Sequence, residues 1–530
     1  MLLSMPAIPA ANRGPDAPHI HRVAELAAAM SLASDLGIAE PLERGLRCTL
    51  LTVTLAKRAG AQGEQLSDIY YASLLAMAGC TASAPSDARL SGDELHLSRH
   101  LNPRFMGPQL GMAAAVVRHA GASDPPLRRV ARVARAIASM PARMEEATLG
   151  HCDVAILIAR RLGLAEGVAS ILDAVFERWD GTGQPSRLRR DAIPLGARAN
   201  SVAWDIEIQG RIGGHDYALD ILRQRSGKAL DPDLCELVLS DPAGSFEVLE
   251  VDAPWSAVLD AEPAPRRVTD DEGLTASAAS LGDFADLKSN YSRGHSREVG
   301  RLARDAASQL GFPAASVRVL ERAGFVHDLG TVGVTAAVFA RSGRMTEAQH
   351  EAIRLHPYWT ERVVGRTSCL SGEAAIAGTH HERVDGSGYH RGLQSPLPDL
   401  GARILAAAEV FQSVREPRAH RGALSRDAAA RLLREEAGAG RLDGNACEAV
   451  VAAAGGRAEI GPATRLTPRE LEVVRLISAG LSTKKIASEL QISTKTADHH
   501  VQHVYEKLGV RSRAGVAVMA MEHGWIGRRA

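Results

Sequence analysis

The chain has 530 residues with 62 Lys and Arg against 62 Asp and Glu, so its net charge points to no particular class of partner. A chain of this length is too long to fold around a single hydrophobic core, and three or four domains are expected. Its six scattered cysteines exclude a disulfide scaffold, and no apolar run approaches the roughly 20 residues that span a bilayer, which predicts a cytoplasmic protein without membrane contact.

The first part of the chain has a helical pattern. Residues 1–18 are rich in Pro, Ala and Gly and are predicted to be disordered. After His19, apolar residues recur at spacings of three and four, as in Val23, Leu26 and Met30, which predicts an amphipathic helix. Aromatic residues make up 4% of the chain and alternating β-branched runs are missing, so the predicted fold class is all-α.

Three stretches interrupt this pattern. Residues 80–110 are polar and their helical pattern is interrupted, and they are interpreted as an insertion. Residues 256–284 and 454–465 combine prolines, glycines and charges without an apolar period, and both are predicted to be linkers. These linkers would separate domains at residues 19–255, 285–453 and 466–527.

The same sequence pattern occurs twice before the last linker. Residues 176–185, Phe-Glu-Arg-Trp-Asp-Gly-Thr-Gly-Gln-Pro, are repeated at 381–390 as His-Glu-Arg-Val-Asp-Gly-Ser-Gly-Tyr-His. The same offset places His151 on His356, and further upstream a different offset matches the pattern that starts at His19 with the one at His295. An ordered series of matches predicts that the chain carries one helical domain twice.

The two copies differ in their polar residues. The second copy has histidines and acids where the first has apolar side chains, and buried polar groups without partners are costly. Neutral imidazoles and carboxylates are ligands for borderline divalent transition metals. The second copy is therefore predicted to bind metal, and the first to be a metal-free scaffold. The contrasting positions are Ala76-Met77 against His327-Asp328, Val175-Phe176 against His380-His381, and Trp204 against Glu409.

The motifs of the second copy resemble, in order, those of the HD-GYP branch of the HD phosphohydrolases. They include Val326-His-Asp-Leu-Gly-Thr-Val-Gly-Val334, His356-Pro357 and His380-His-Glu-Arg-Val-Asp-Gly-Ser-Gly-Tyr389. The resemblance implies a cluster of two or three metal ions, Fe or Mn, that hydrolyses cyclic di-GMP. It implies catalytic roles for Asp328, as a bridge between ions, and for Arg383, as a phosphate contact. The implied metal ligands are His295, His327, Asp328, His356, His380, His381 and Glu409.

Three positions depart from the family pattern. Thr331 stands where the family has Lys, His390 where it has Pro, and Glu409 where it has Asp. Three interpretations therefore stay open for the second copy: a regulatory sensor, a cyclic-dinucleotide phosphodiesterase as the main activity, or a catalytically inactive ligand-binding module.

The C-terminal tail has the pattern of a small helical domain. Residues 461–530 hold eleven Lys and Arg against six Asp and Glu, a weak indication of nucleic-acid binding. Thr467-Pro-Arg-Glu470 is a predicted capping box, Gly480 a helix stop, and Ser482 and Ser493 are predicted caps of two further helices.

This tail resembles the LuxR-type helix-turn-helix, a four-helix DNA-binding domain. The resemblance rests on Leu466-Thr-Pro-Arg-Glu470, Gly480-Leu-Ser-Thr-Lys-Lys-Ile-Ala487, Ile492-Ser-Thr-Lys-Thr496 and Lys507-Leu-Gly-Val510. It implies binding to double-stranded DNA, as a homodimer on a two-fold site. The implied DNA contacts are Thr483, Lys484, Lys495, Thr496 and His500. The whole chain is thus predicted to be a DNA-binding transcriptional regulator with an HD-GYP-like domain that binds metal and senses or hydrolyses a cyclic dinucleotide.

Overall fold

The computed structural model describes residues 20–122, 124–393, 399–455 and 466–526. The predicted disordered segment 1–18, His19 and most of the predicted linker 454–465 lie outside the described residues. Within the described ranges the chain is almost entirely helical, which confirms the all-α prediction. None of the described helices is long and apolar enough to cross a membrane.

The first copy and its insertion contain twelve of the described α-helices. The insertion, predicted to be irregular, is itself helical and comprises α4 to α6. The helices are α1 Val23–Gly37, α2 Arg44–Arg58, α3 Gly63–Leu75, α4 Ala84–Ser91, α5 Glu94–Leu101, α6 Gln109–His119, α7 Pro126–Arg161, α8 Glu166–Leu172, α9 Leu195–Arg225 (kinked at Gly214), α10 Pro232–Ser240, α11 Pro242–Leu249 and α12 Pro254–Asp260.

The second copy contains ten of the described α-helices and a short 3-10 helix, Leu329–Gly333. The α-helices are α13 Asp271–Asp286, α14 His295–Gln309, α15 Ala314–Val326, α16 Ala336–Phe339, α17 Glu347–Arg354, α18 His356–Val364, α19 Ser371–Ala377, α20 Leu400–Arg415, α21 Arg426–Gly438 and α22 Gly444–Gly455. The tail adds α23 Pro468–Ser478, α24 Thr483–Glu489, α25 Thr494–Leu508 and α26 Arg513–Glu522.

The stretch 256–284, predicted to be a linker, is ordered instead. It contains the end of α12, a short strand β2 (Val268–Thr269) and most of α13. The strand pairs antiparallel with β1 (His21–Arg22), which fastens this stretch to the start of the first copy. One of its charged residues is a helix cap. The Asp270 side chain accepts a hydrogen bond from the backbone N–H of Gly273 at the start of α13.

The starts of α2 and α14 correspond, which corrects one part of the repeat. Asp35 accepts from the N–H of Gly45 (3.2 Å) at the start of α2, as Asp286 accepts from the N–H of Ser296 (3.0 Å) at the start of α14. The counterpart of His295 is therefore Arg44, and the predicted match with His19 is wrong. An apolar spacing of three and four recurs in every amphipathic helix, so this pattern alone could not identify the correct helix.

The two copies share one hydrophobic core. It joins Leu26 and Met30 of the first copy to Val326 of the second, and it also includes Val518 and Met521 from α26 of the tail. Burial of these side chains is the dominant stabilising contribution expected for such an interface. The tail is therefore packed against both copies.

Candidate metal centre and DNA-binding domain

The histidines of the second copy lie at helix ends, where a side chain can turn towards the interior. His295 begins α14, His327 follows α15, and His356 begins α18 with Pro357 fixing its first turn. His380 and His381 follow α19, and Glu409 lies within α20. All of these side chains converge in one region inside the second copy.

One group of donors comprises His295, His327 and Glu409. The Nε2 atom of His295 lies 2.8 Å from Oε2 of Glu409, and Nε2 of His327 lies 3.3 Å from the same oxygen. All three residues are buried. Neither imidazole Nε2 atom nor this oxygen has a hydrogen-bond partner among the described residues. Buried polar atoms left in this state are destabilising unless another group satisfies them.

A second group comprises His356, His380 and His381. Their ligand nitrogens lie within 4.8 Å of one another, and the Nε2 atoms of His356 and His380 are 3.0 Å apart. The Nδ1 atoms of these two residues donate to the carbonyl oxygens of Ile353 (2.6 Å) and Ala377 (2.6 Å). Because a carbonyl oxygen only accepts, the two Nε2 atoms present lone pairs to each other whenever both rings are neutral. A cation between them removes that repulsion.

Asp328 lies between the two groups. Its Oδ1 is 3.1 Å from Nε2 of His356 and 3.6 Å from Nε2 of His380, while its Oδ2 is 3.8 Å from Nε2 of His295. Oδ1 also lies 3.7 Å from Nε2 of His327, so the Asp328 carboxylate is close to imidazoles of both groups. A carboxylate in this position could contact ions held by either group.

The charge states of Asp328 and His380 suit cation binding. Burial opposes the ionisation of Asp328, but the imidazoles of His327, His356 and His380 outweigh it and hold its pKa well below the usual range. Burial lowers the pKa of His380 to about 4, with a contribution from the neighbouring imidazoles, so this ring is neutral near pH 7. A neutral imidazole and an ionised carboxylate are the forms that bind metal.

Sequence reasoning missed Glu416, which holds His295 in place. The Nδ1–H of His295 donates to both carboxylate oxygens of Glu416, at 3.0 and 3.1 Å, so its Nε2 is directed towards Glu409. Such a carboxylate behind a histidine fixes its tautomer and orientation. Glu416 follows Glu409 by seven residues, two helical turns, and this spacing was the signal available in the sequence.

The side chain of Arg383, implied as a phosphate contact, is held by backbone carbonyl groups of neighbouring residues. Its Nη1 donates to the carbonyl oxygens of Glu382 (2.9 Å) and His380 (3.4 Å), which places the guanidinium beside the second histidine group. In the same turn, Asp385 accepts from the N–H (2.9 Å) and the hydroxyl (2.6 Å) of Ser387 and thereby closes the glycine-rich loop. The Tyr389 ring stacks on His381 with centroids 4.6 Å apart.

The tail forms four helices with the predicted caps. Thr467 and Glu470 form the capping box of α23, and Ser482 and Ser493 cap α24 and α25 with their side chains. On the two helices of the turn, the implied DNA contacts are exposed or half-buried. Lys484, Lys495 and Thr496 are exposed, and Thr483 and His500 are half-buried.

Comparisons with known proteins match both parts of the chain to family models. Residues 141–234 and 280–446 match the family model of the HD domain, and residues 464–520 match that of the bacterial regulatory proteins of the luxR family. The chain combines HD domains with a LuxR-family domain. The first HD match falls in the first copy, so both copies are recognisable from sequence.

Relatives of the HD region are phosphodiesterases of cyclic dinucleotides. The chain is 28% identical over 418 residues to the 3'3'-cGAMP-specific phosphodiesterase 3 of Vibrio cholerae, which covers 78% of this chain and 90% of the relative. It is 35% identical over 142 residues to the cyclic di-GMP phosphodiesterase response regulator RpfG of Xanthomonas campestris, covering 26% and 38%. A crystal structure of a cyclic GMP-AMP-specific phosphodiesterase of V. cholerae has the same fold, with a TM-score of 0.57, 24% identity and coverage of 83% and 99%.

The first HD copy lacks the donors of the second. His151 corresponds to His356, but its Nε2–H donates to the carbonyl oxygen of Ala76 (2.7 Å) and its ring packs against Phe176. The nitrogen that is available in His356 is therefore used for a backbone hydrogen bond in His151. Ala76 and Phe176 stand where the second copy has His327 and His381.

The LuxR-family domain docks on both HD copies through polar contacts as well as its buried helix. Arg293 donates to the carbonyl oxygens of Ile477 (3.1 Å) and Ser478 (2.6 Å) at the end of α23. On the other side, Arg511 pairs with Asp153 (3.0 Å) and Asp173 (2.5 Å) of the first copy. The domain therefore contacts both copies, and Arg293 is two residues from the donor His295.

Proposed function

We propose that this protein is a DNA-binding transcriptional regulator whose second HD copy binds divalent metal and senses or hydrolyses a cyclic dinucleotide. The observation that carries the metal assignment is the facing pair of Nε2 atoms of His356 and His380, 3.0 Å apart, with Asp328 beside them. When both rings are neutral, their facing lone pairs repel, and a metal ion that binds both nitrogens removes this repulsion. The LuxR-family match supports the regulatory role.

The residues present fit two ions of the Fe or Mn type. His295, His327 and Glu409 would hold one ion, His356, His380 and His381 the other, and Asp328 would contact both. When bound, a pair of such ions clamps the phosphodiester oxygens and supplies an activated hydroxide. Glu416 keeps Nε2 of His295 directed inward.

The surroundings of Tyr389 favour an anionic ligand with flat rings. Thr331, which replaces the family's Lys, uses its hydroxyl to donate to the Asp328 carbonyl oxygen (2.7 Å). Cationic charge comes instead from Arg354, whose guanidinium lies 5.5 Å from the Tyr389 ring centre, and from Arg383. Arginines recognise phosphate oxygens by paired hydrogen bonds. The names of the relatives lead us to propose 3'3'-cGAMP or cyclic di-GMP as the ligand.

Arg293 provides a route from this site to the DNA-binding domain. Arg293 precedes His295 by two positions, and its side chain donates hydrogen bonds to the last carbonyl oxygens of α23. We propose that ligand binding shifts the start of α14 and weakens or strengthens this contact. The change would alter how two chains place their α25 helices on a two-fold DNA site.

Metal analysis followed by a hydrolysis assay tests the proposal. Purified full-length protein, supplied with Mn²⁺ or anaerobic Fe²⁺, should carry metal at the second HD copy and convert 3'3'-cGAMP or cyclic di-GMP to linear products. His327→Ala should lose metal and turnover, while the control His350→Ala, an exposed residue of α17, should keep both.

The assay separates the alternatives. Metal and tight cyclic-dinucleotide binding without turnover would identify an inactive sensor. Equal metal content in wild type and His327→Ala would refute the metal centre. If the protein hydrolyses cyclic dinucleotides but these have no effect on DNA binding, phosphodiesterase activity is its main function.

A further inference from the structure

A separate cluster of three histidines lies in the first copy, on two helices in and just after the insertion. His96 and His100 are four residues apart on α5 and share one face, and His119 is the last residue of α6. One nitrogen of each ring lies within 4.8 Å of the others. These residues lie outside both segments that match the HD family, so the group is separate from the HD metal centre.

The three rings contact one another without other partners. The rings of His100 and His119 are stacked with centroids 3.5 Å apart, and His96 lies 5.0 Å from His100 and 5.7 Å from His119. All three residues are half-buried. In the described part of the chain, no group makes a hydrogen bond to their ring nitrogens, which leaves these nitrogens available to a ligand.

The start of α5, which presents His96 and His100, is held by polar contacts. Asp93 caps α5 by accepting from the N–H of His96 (3.0 Å). In the next position, Glu94 is buried and pairs with Lys288 of the second copy (3.0 Å), and it also accepts from the N–H of Ala336 (2.7 Å). A site whose supporting helix is held in this way loses little freedom on binding.

The surroundings of His100 and His119 lower the pKa of both rings. Burial lowers the pKa of His100 and of His119, and neighbouring cationic groups, Arg104 for both and each group's own histidine neighbours, lower it further. Both rings are therefore neutral near pH 7. Neutral imidazole is a ligand for zinc, nickel and copper and a poor one for magnesium or calcium.

We propose that His96, His100 and His119 form a binding site for a divalent transition ion of the zinc, nickel and copper group. Three protein ligands leave a fourth position for water or an anion. The stacked rings of His100 and His119 cannot both direct their in-plane lone pairs to one point. Binding therefore requires rotation of one ring about its side-chain bonds.

An ion at this site would join α6 to α5. Because Glu94 of α5 contacts the segment that follows His327 and Asp328, the insertion would then be fastened more firmly to the second copy. Binding of a transition metal at this site would thus affect the same HD copy that holds the proposed metal centre.

The test compares zinc content among variants of the full-length protein. After equilibrium dialysis against Zn²⁺, His100→Ala should hold one ion per chain fewer than wild type. The matched control His215→Ala removes an exposed histidine of the first copy that belongs to neither group, and it should lose none. His380→Ala should lose zinc from the HD centre and keep the ion on α5 and α6, so the two sites are tested separately.

Hydrogen exchange gives a second readout that tolerates a mild folding defect. Zinc should slow exchange in residues 94–119 of the wild type, and this slowing should be absent in His119→Gln. Equal zinc content and equal zinc-dependent exchange in wild type, His100→Ala and His119→Gln would overturn the proposal.

Discussion

The guanidinium of Arg44 lies 3.5 Å from the centre of the Trp204 ring, in the place where the second copy has His295 beside Glu409. Arg44 also pairs with Glu207 at 2.8 Å, and both side chains are at least nine-tenths buried. A fixed side-chain cation thus occupies in the first copy the position of the proposed metal donors of the second copy. This substitution supports the proposal that only the second copy holds an ion.

Replacement of Arg44 should destabilise the first copy without affecting metal binding. Arg44→Ala leaves the Glu207 carboxylate buried without its main partner and removes the contact with Trp204, at a cost of about 3 kcal/mol. We expect a clear drop in the calorimetric unfolding temperature and unchanged metal content. The control Arg223→Ala removes an exposed arginine that pairs with Asp220 and should cost less than about 0.5 kcal/mol. A similar unfolding temperature for both variants would contradict the structural role of Arg44.

Removal of Arg293 should loosen the DNA-binding domain. Arg293→Ala deletes two charge-assisted hydrogen bonds to the end of α23, each worth roughly 1.5–3 kcal/mol. Hydrogen exchange in residues 473–481 should become at least about tenfold faster, a fold-change that corresponds to roughly 1.4 kcal/mol. Arg434→Ala, which removes an exposed ion pair of the second copy, is the matched control. Unchanged exchange in Arg293→Ala would exclude this contact as a route between the two sites.

The exposed face of α25 should carry the DNA contacts. Lys495→Ala combined with His500→Ala should weaken binding of the full-length protein to a mixed-sequence duplex and reduce the magnitude of its salt slope by about 1. Fluorescence anisotropy over a series of salt concentrations measures both effects. Lys228→Ala removes an exposed lysine of the first copy and should leave the slope unchanged. If the double variant binds like wild type, the assigned surface is wrong.

The capping box of α23 should make the stability of the DNA-binding domain sensitive to acid. Glu470 is buried, accepts from the N–H of Thr467 (2.7 Å) and pairs with Lys507 (2.7 Å). Burial opposes its ionisation, but these partners outweigh it and lower its pKa to about 2. The ionised carboxylate therefore stabilises the domain fully above its ordinary pKa near 4.5, and this contribution is lost as the pH falls towards 2.

Glu470→Gln should remove this pH dependence. At pH 7 the variant should lose about 1–2 kcal/mol of local stability, and the difference from wild type should shrink as the pH is lowered through 4. Hydrogen exchange of residues 468–478 measures this difference. Glu472→Gln, an exposed neighbour that pairs with Arg469, is the control. A difference that is constant from pH 7 to pH 3 would contradict the assignment.

The sequence by itself determined the features that depend on a few adjacent residues. The caps at Thr467, Ser482 and Ser493 form as predicted because a hydroxyl two or three residues before a free N–H needs no distant partner. The order of His327-Asp328, His356 and His380-His381 likewise predicted side chains that lie together in the structure. Apolar residues stand at the matching positions of the first copy, except for His151 in place of His356.

Tertiary structure alone decided which segments lie beside one another. The charged stretch before α13 is ordered because its strand pairs with residues about 250 positions earlier, and no local pattern indicates that pairing. The alignment of Arg44 with His295, the support of His295 by Glu416 and the docking of Arg293 on α23 are likewise contacts between distant segments. A helical repeat shows which face of a helix is apolar, but the packing partner of that face follows from the shape of the whole core.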